Sequence, residues 1–171
     1  MLFKEINYVA NIEAMQLSSA GCFDVFNNKL VTLLEKDNKI NLHNLSHKNI
    51  NSKKGFKNII ETIKLKRKTG TSKYNDASSR THLIINIYND KKKYVIIDLA
   101  GNERKPNMKK GFSYIDTNYI NSSLLSLKEC FRRYNENSIY IPYRRSKLTR
   151  LLKNVFETKV KSIIISTIHS G

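Results

Sequence analysis

Cysteine is scarce in this chain. Cys22 and Cys130 are the two among 171 residues, too far apart for metal-ligand spacing and too few for a disulfide framework, so a reduced, intracellular compartment is expected. Acidic residues are also few, 14 against 31 Lys and Arg, leaving a net charge of +17. No apolar run approaches the roughly 20 residues of a helical membrane span. The opening MLFKEINYV lacks the charged-then-apolar layout of a signal peptide, so no membrane partner is expected. The pattern G-x-x-x-x-G-K-[ST] is missing too, which excludes a phosphate cradle of the P-loop type within these residues. The length suits one domain with a real core and is short for two.

The charge excess points to a polyanionic partner. Part of it reflects a general over-use of Lys, Asn and Ile, including at loop positions with no evident task. No motif or aromatic-basic platform supports nucleic acid as the partner, so none is expected.

Residues 6–17 read as a strand, ended by the small residues Ser18, Ser19, Ala20 and Gly21. Two short strand-like runs follow, with Lys36, Asp37 and Asn38 as a turn. From Lys54 to Lys66 the apolar positions Phe56, Ile59, Ile60 and Ile63 recur at intervals of three and four, predicting a helix with one buried stripe and Ser52 as its cap. A polar loop then leads to residue 75. After Arg104 comes a connection with Pro106 and Gly111, followed by a helix marked by Ile120, Leu124, Leu127, Phe131 and Tyr134, with Asp116 or Thr117 near its start. Ser146 is expected to cap a further helix carrying Leu148, Leu151, Leu152, Val155 and Phe156. The closing run VKSIIISTI suits a strand buried on both faces. Helices alternating with strands give an α/β class with a mixed central sheet flanked by helices.

The stretch Asn75 to Arg104 is the most informative. Two Ile- and Val-rich runs joined by Asn89, Asp90, Lys91 and Lys92 form a strand, a reversal and a second strand. Ser78, Ser79, Arg80 and His82 thereby meet Asp98, Gly101 and Glu103 at one sheet edge. A hydroxyl pair, an Arg, a strand-terminal Asp, a Gly and a Glu there are what a nucleotide-phosphate and magnesium site requires.

These segments resemble the kinesin motor domain. NDASSRTH is similar to that family's first nucleotide switch, N-x-x-S-S-R-S-H, with Thr81 in place of a Ser, and DLAGNER to its second, D-L-A-G-[SN]-E-R. YINSSLLSLKEC resembles I-N-K-S-L-x-x-L, and IPYRRSKLTRLL resembles V-P-Y-R-D-S-K-L-T-R-L-L. The likeness is strong over residues 66–171, which carry both switches and the microtubule-binding segments, and weaker over 6–65. Residues 1–171 are therefore expected to form one partial motor domain of the P-loop NTPase class, a fragment without the P-loop strand and helix. LAGNER together with LKEC most resembles the internal-motor class that depolymerises microtubules.

The resemblance implies ATP and Mg2+ as cofactors, microtubules (tubulin) as partner, and the cytoplasmic cytoskeleton as location. It assigns Asp98 and Ser79 to the magnesium, and Asn75 and Ser78 to shaping and contacting the nucleotide. It gives Gly101 an amide facing the γ-phosphate, and Arg80 with Glu103 a gate that holds the attacking water. His82 either packs into the strand or takes a direct role. Lys109, Lys110, Arg144, Arg145, Lys147 and Arg150 fall on the implied microtubule-binding face, with Lys153 beside them. Arg145 stands where the family usually carries Asp. The alternative is a non-catalytic microtubule-binding module without the nucleotide cradle.

Overall fold

The computed structural model describes residues 9–37, 39–69, 80–101, 114–158 and 160–165. Strand β1 (Ala10–Ser18) is the spine. It pairs with β2 (Gly21–Asp24), with the short β5 (Lys48–Ile50) and with β6 (His82–Tyr88), which in turn pairs with β7 (Lys93–Asp98). The main path through the sheet runs β2-β1-β6-β7. Every pairing among the described residues is antiparallel. Strands β3 (Thr32–Lys36) and β4 (Lys39–His43) make a separate hairpin at the expected turn. Helices cover the sheet, as the α/β reading anticipates: α1 (Lys53–Thr69), α2 (Tyr114–Asn135), and the short α3 (Lys147–Leu151) and α4 (Lys153–Glu157) after a 3₁₀ turn at Tyr143–Arg145.

The period-2 alternation of β1 and β6 sorts their side chains into two cores. Ile12, Ala14, Leu83, Ile85 and Ile87 face α1, where Ile63 is fully buried and Phe56, Ile59 and Ile60 pack around it. Met15, Leu17 and Ile84 face α2 to α4, against Leu127, Cys130, Leu148, Leu152 and Phe156. Strand β6 is therefore apolar on both sides, and its continuous run LIINIY has a direct explanation. Both cysteines are buried free thiols, with burial pushing Cys22 up to about 12 and Cys130 up to about 11, so both behave as small apolar core residues.

Side chains fasten the ends of these elements. Ser52 Oγ accepts the Gly55 amide at 3.0 Å and caps α1 as expected. Asn89 Oδ1 accepts the Lys91 and Lys92 amides at 3.0 and 2.8 Å, closing the β6–β7 turn. Asp24, fully buried, accepts hydrogen bonds from the amides of Phe26 and Ser46 and from the Ser46 hydroxyl, so its carboxyl oxygens are satisfied inside the core. Ser19, at the tip of the β1–β2 hairpin, donates to Asp116 in the first turn of α2.

Three expectations change. The single helix predicted after Ser146 is two, broken at Leu152 (φ −94, ψ 8), although Ser146 does cap the first through a reciprocal bond with Thr149. The buried stripe of α2 includes Ser123, Ser126 and Cys130, while Tyr134 lies at its exposed margin. Over its described part the closing apolar run is no strand: residues 160–165 are irregular and Ile163, Ile164 and Ile165 are exposed. A strand requires a hydrogen-bonding neighbour, and none of the described residues pairs with this segment.

Candidate functional site

The β6–β7 register sets the site. Leu83 lies opposite Asp98, so the residues entering β6 and those leaving β7 meet at one end of the sheet. Arg80 is half-buried just ahead of β6, Asp98 closes β7, and Gly101 is exposed three residues on. Asn75, Ser78, Ser79 and Glu103 lie outside the described residues, as do Lys109 and Lys110.

Asp98 presents a side chain that is 63% exposed and is held in place by Arg67 from α1, whose guanidinium binds its Oδ2. The same guanidinium, through its other amino group, donates to the Thr81 carbonyl at 2.9 Å. Arg67 is itself only 8% exposed. One planar cation thus fixes the carboxylate at the end of β7 to the backbone entering β6. The sequence gives no warning of this: Arg67 sits in the run KRKTG, which reads as polar loop, yet α1 extends to Thr69 and brings Arg67 inward.

His82 begins β6 and is fully buried. Its Nδ1 accepts the Ala100 amide at 3.0 Å, and its Nε2 lies 2.7 Å from Ser123 Oγ on α2. Burial, and then the charge of Arg67, push its pKa down to about 4, so the ring is neutral near pH 7. Of the two readings open for His82, packing into the strand is realised, with the backbone after β7 and helix α2 as its partners.

A magnesium–nucleotide group finds a fit in part here. The exposed, oriented Asp98 carboxylate is a hard oxygen donor of the kind a hydrated magnesium accepts, and nothing but hydrogen occupies the side-chain position of Gly101. The described residues contain no cluster of three or more His, Cys, Asp or Glu that could hold a metal by itself. These donors suit one side of a polyphosphate; a backbone cradle for the rest would need the absent P-loop pattern.

The basic residues of the last third divide into two groups. Arg145 and Lys147 are exposed and Arg150 is half-buried, its Nε enclosed without a hydrogen-bond partner among the described residues. Arg144 is exposed but engaged: its NH2 group donates to Glu35 Oε1 at 2.7 Å and its Nε to Oε2 at 3.3 Å, and its guanidinium lies 5.3 Å from the Tyr143 ring. The hydrogen bond from Arg144 holds Glu35 below the usual carboxylate range. Lys153, grouped by sequence with the surface cations, is 1% exposed. The break at Leu152 turns it inward, where its ammonium lies 5.0 Å from the Tyr143 ring and 3.6 and 3.7 Å from Glu35 and Glu157. Glu35 therefore ties the β3–β4 hairpin to the turn and helices of residues 143–157.

Comparison with known proteins meets this geometry. The profile of the kinesin motor domain matches residues 2–171, spanning both sheet-end segments and the basic helical region. The chain belongs to the kinesin motor domain family. Diatom spindle kinesin-1 of Cylindrotheca fusiformis is 36% identical over 148 residues, which cover 81% of this chain and 24% of that protein. The kinesin-like protein Klp61F of Drosophila melanogaster is 29% identical over 188 aligned positions, covering 98% of this chain and 18% of its own length. Among solved structures, one named kinesin 6 superposes with a TM-score of 0.70 at 21% identity, covering 87% of this chain and 47% of that one. A fast kinesin superposes with a TM-score of 0.66 at 23% identity, covering 90% and 48%. These superpositions show the kinesin fold. The chain spans a quarter or less of these curated relatives and just under half of these solved chains.

Proposed function

We propose that this chain supplies the γ-phosphate-sensing and track-binding portion of a kinesin motor that moves along microtubules at the cost of ATP. The observation that carries this is that the described ends of the two switch-like segments, residues 80–82 and 98–101, lie at one sheet end. There Asp98 is oriented by Arg67, and Gly101 follows a backbone amide fixed by His82. Family membership supports the same reading, as does the likeness to a fast kinesin whose structure bears on ATPase mechanism and interactions with microtubules.

Bound ATP with magnesium would supply the phosphoryl group whose presence or loss the switches report. Asp98 would hold a magnesium-bound water, with Ser79 from the first switch. Asn75 and Ser78 would shape the nucleotide side, and the Gly101 amide would meet the γ-phosphate. Arg80 and Glu103 would close behind it and position water, work that consists of placement and charge organisation. Because no P-loop pattern lies within these residues, the proposed unit is one partial motor domain over 1–171 with weak nucleotide affinity of its own.

Arg145, Lys147 and Arg150, with Lys109 and Lys110, would meet the acidic tubulin surface, and the cytoplasmic microtubule cytoskeleton would be its location. Basic residues there steer and hold such a partner in a salt-sensitive way. Depolymerisation is the weaker form of this proposal: Cys130 of the LKEC motif is fully buried in the α2 core, which gives its presence a packing reason. Microtubule pelleting together with ATP turnover tests this reading. Pelleting with little turnover is what a partial motor domain without the P-loop pattern should give, turnover at a full motor's rate contradicts its weak nucleotide affinity, and retention on an equally charged polyanion but not on microtubules contradicts a track-binding role.

A further inference from the structure

We infer that His82 is a positioning residue that couples the backbone after β7 to helix α2 through a single directional hydrogen-bond relay. A backbone N–H can only donate, so the 3.0 Å contact from the Ala100 amide requires a lone pair on His82 Nδ1. The neutral ring then carries its proton on Nε2, and Nε2 donates to Ser123 Oγ at 2.7 Å. Ser123 in turn donates to the Ile120 carbonyl one turn back along α2, at 2.8 Å. Each polar group has one role left to it, and His82 and Ser123 are 0% and 1% exposed, so water offers no competing partner.

The placement gives the relay its purpose. Ala100 is 4% exposed and immediately precedes the exposed Gly101. His82 itself is anchored in the sheet opposite Leu17. The ring therefore acts as a fixed post: it sets the Ala100–Gly101 backbone relative to the sheet and ties the same point to α2, the helix that packs against α3 and α4. A displacement of that backbone is transmitted to Ser123 without any direct contact between them. That Gly101 meets a phosphate rests on the proposed function; the relay does not.

The test needs neither nucleotide nor microtubules, so its failure is distinguishable from failure of the motor reading. In the full 171-residue chain, ¹⁵N spectra should show His82 protonated on Nε2 and not on Nδ1. Ser123→Ala should speed exchange of the Ala100 amide about five-fold, the worth of one buried hydrogen bond. Ser123→Thr, which keeps the hydroxyl, should restore the slow rate. In a His82→Gln background, Ser123→Ala should have no further effect on Ala100. An Nδ1-protonated ring, an Ala100 amide indifferent to Ser123→Ala, or an equal effect without His82 would overturn the relay. If His82→Gln does not fold, the tautomer and the alanine–threonine comparison decide it alone.

Discussion

Arg67 and Asp98, 31 positions apart, form an ion pair in which the cation is buried and the anion faces water. The desolvated partner carries the larger risk, because an exposed carboxylate that loses its cation is simply hydrated, whereas a buried guanidinium that loses its carboxylate keeps the Thr81 carbonyl but not its compensating charge. Asp98→Asn should therefore destabilise the chain by about 1–3 kcal/mol. Arg67→Met, which keeps the buried stem and discards the charge, should cost less. Urea unfolding of the two variants measures the order, and a larger loss for Arg67→Met contradicts this account of the pair.

Acid should act through His82. Its folded pKa, about 4, lies below the ordinary value of 6.5, so between those limits the unfolded chain holds the extra proton. The stabilisation is complete above about pH 6.5 and falls with pH until about 4, by about 3 kcal/mol across the window. The charge facing the ring is Arg67 from α1, and the Tyr119 ring of α2 lies 6.2 Å away. Denaturant midpoints from pH 7 to 4.5 should drop steeply for the native sequence and less steeply for His82→Gln. Parallel slopes would remove His82 from the acid response.

Lys153 should behave as a core residue. It is buried against Tyr143 with Glu35 and Glu157 nearby, and because Glu35 keeps Arg144 and Glu157 is exposed to water, an apolar side chain of similar length leaves neither carboxylate stranded. Lys153→Met is expected to change stability by no more than about 1 kcal/mol in either direction and to leave microtubule affinity unaltered. A several-fold loss of pelleting in a folded Lys153→Met chain would return this residue to the binding face.

Local patterns carried much of this fold in readable form. Phe56, Ile59, Ile60 and Ile63 repeat at helical spacing and Ser52 stands where a cap belongs, so α1 could be read without knowing its neighbours. The β6–β7 hairpin was equally legible, because its turn and both runs are contiguous. What escaped depends on distant partners. Arg67 is defined by Asp98 and Thr81, and Glu35 by Arg144, 109 positions away. Ile163 to Ile165 have the composition of a buried strand, but composition does not supply the strand beside them. Lys153 was misread because one non-helical residue, Leu152, rotates everything after it. At the candidate site, residue types and register placed Asp98, Gly101 and His82 at one edge; the hydrogen bonds that orient them came from helices the local pattern does not join to it.

The most direct measurement is microtubule pelleting of the 171-residue chain across a salt series, comparing the native sequence with an Arg145→Ala/Lys147→Ala double variant. Both side chains are exposed, and neither belongs to the Glu35 cluster, so the fold should survive. The native chain should pellet at low salt and be released as salt rises, and the double variant should bind about ten-fold more weakly with a shallower salt dependence. Equal binding by the two proteins, or no pelleting of the folded native chain at any salt, would contradict the assignment of this face to the microtubule.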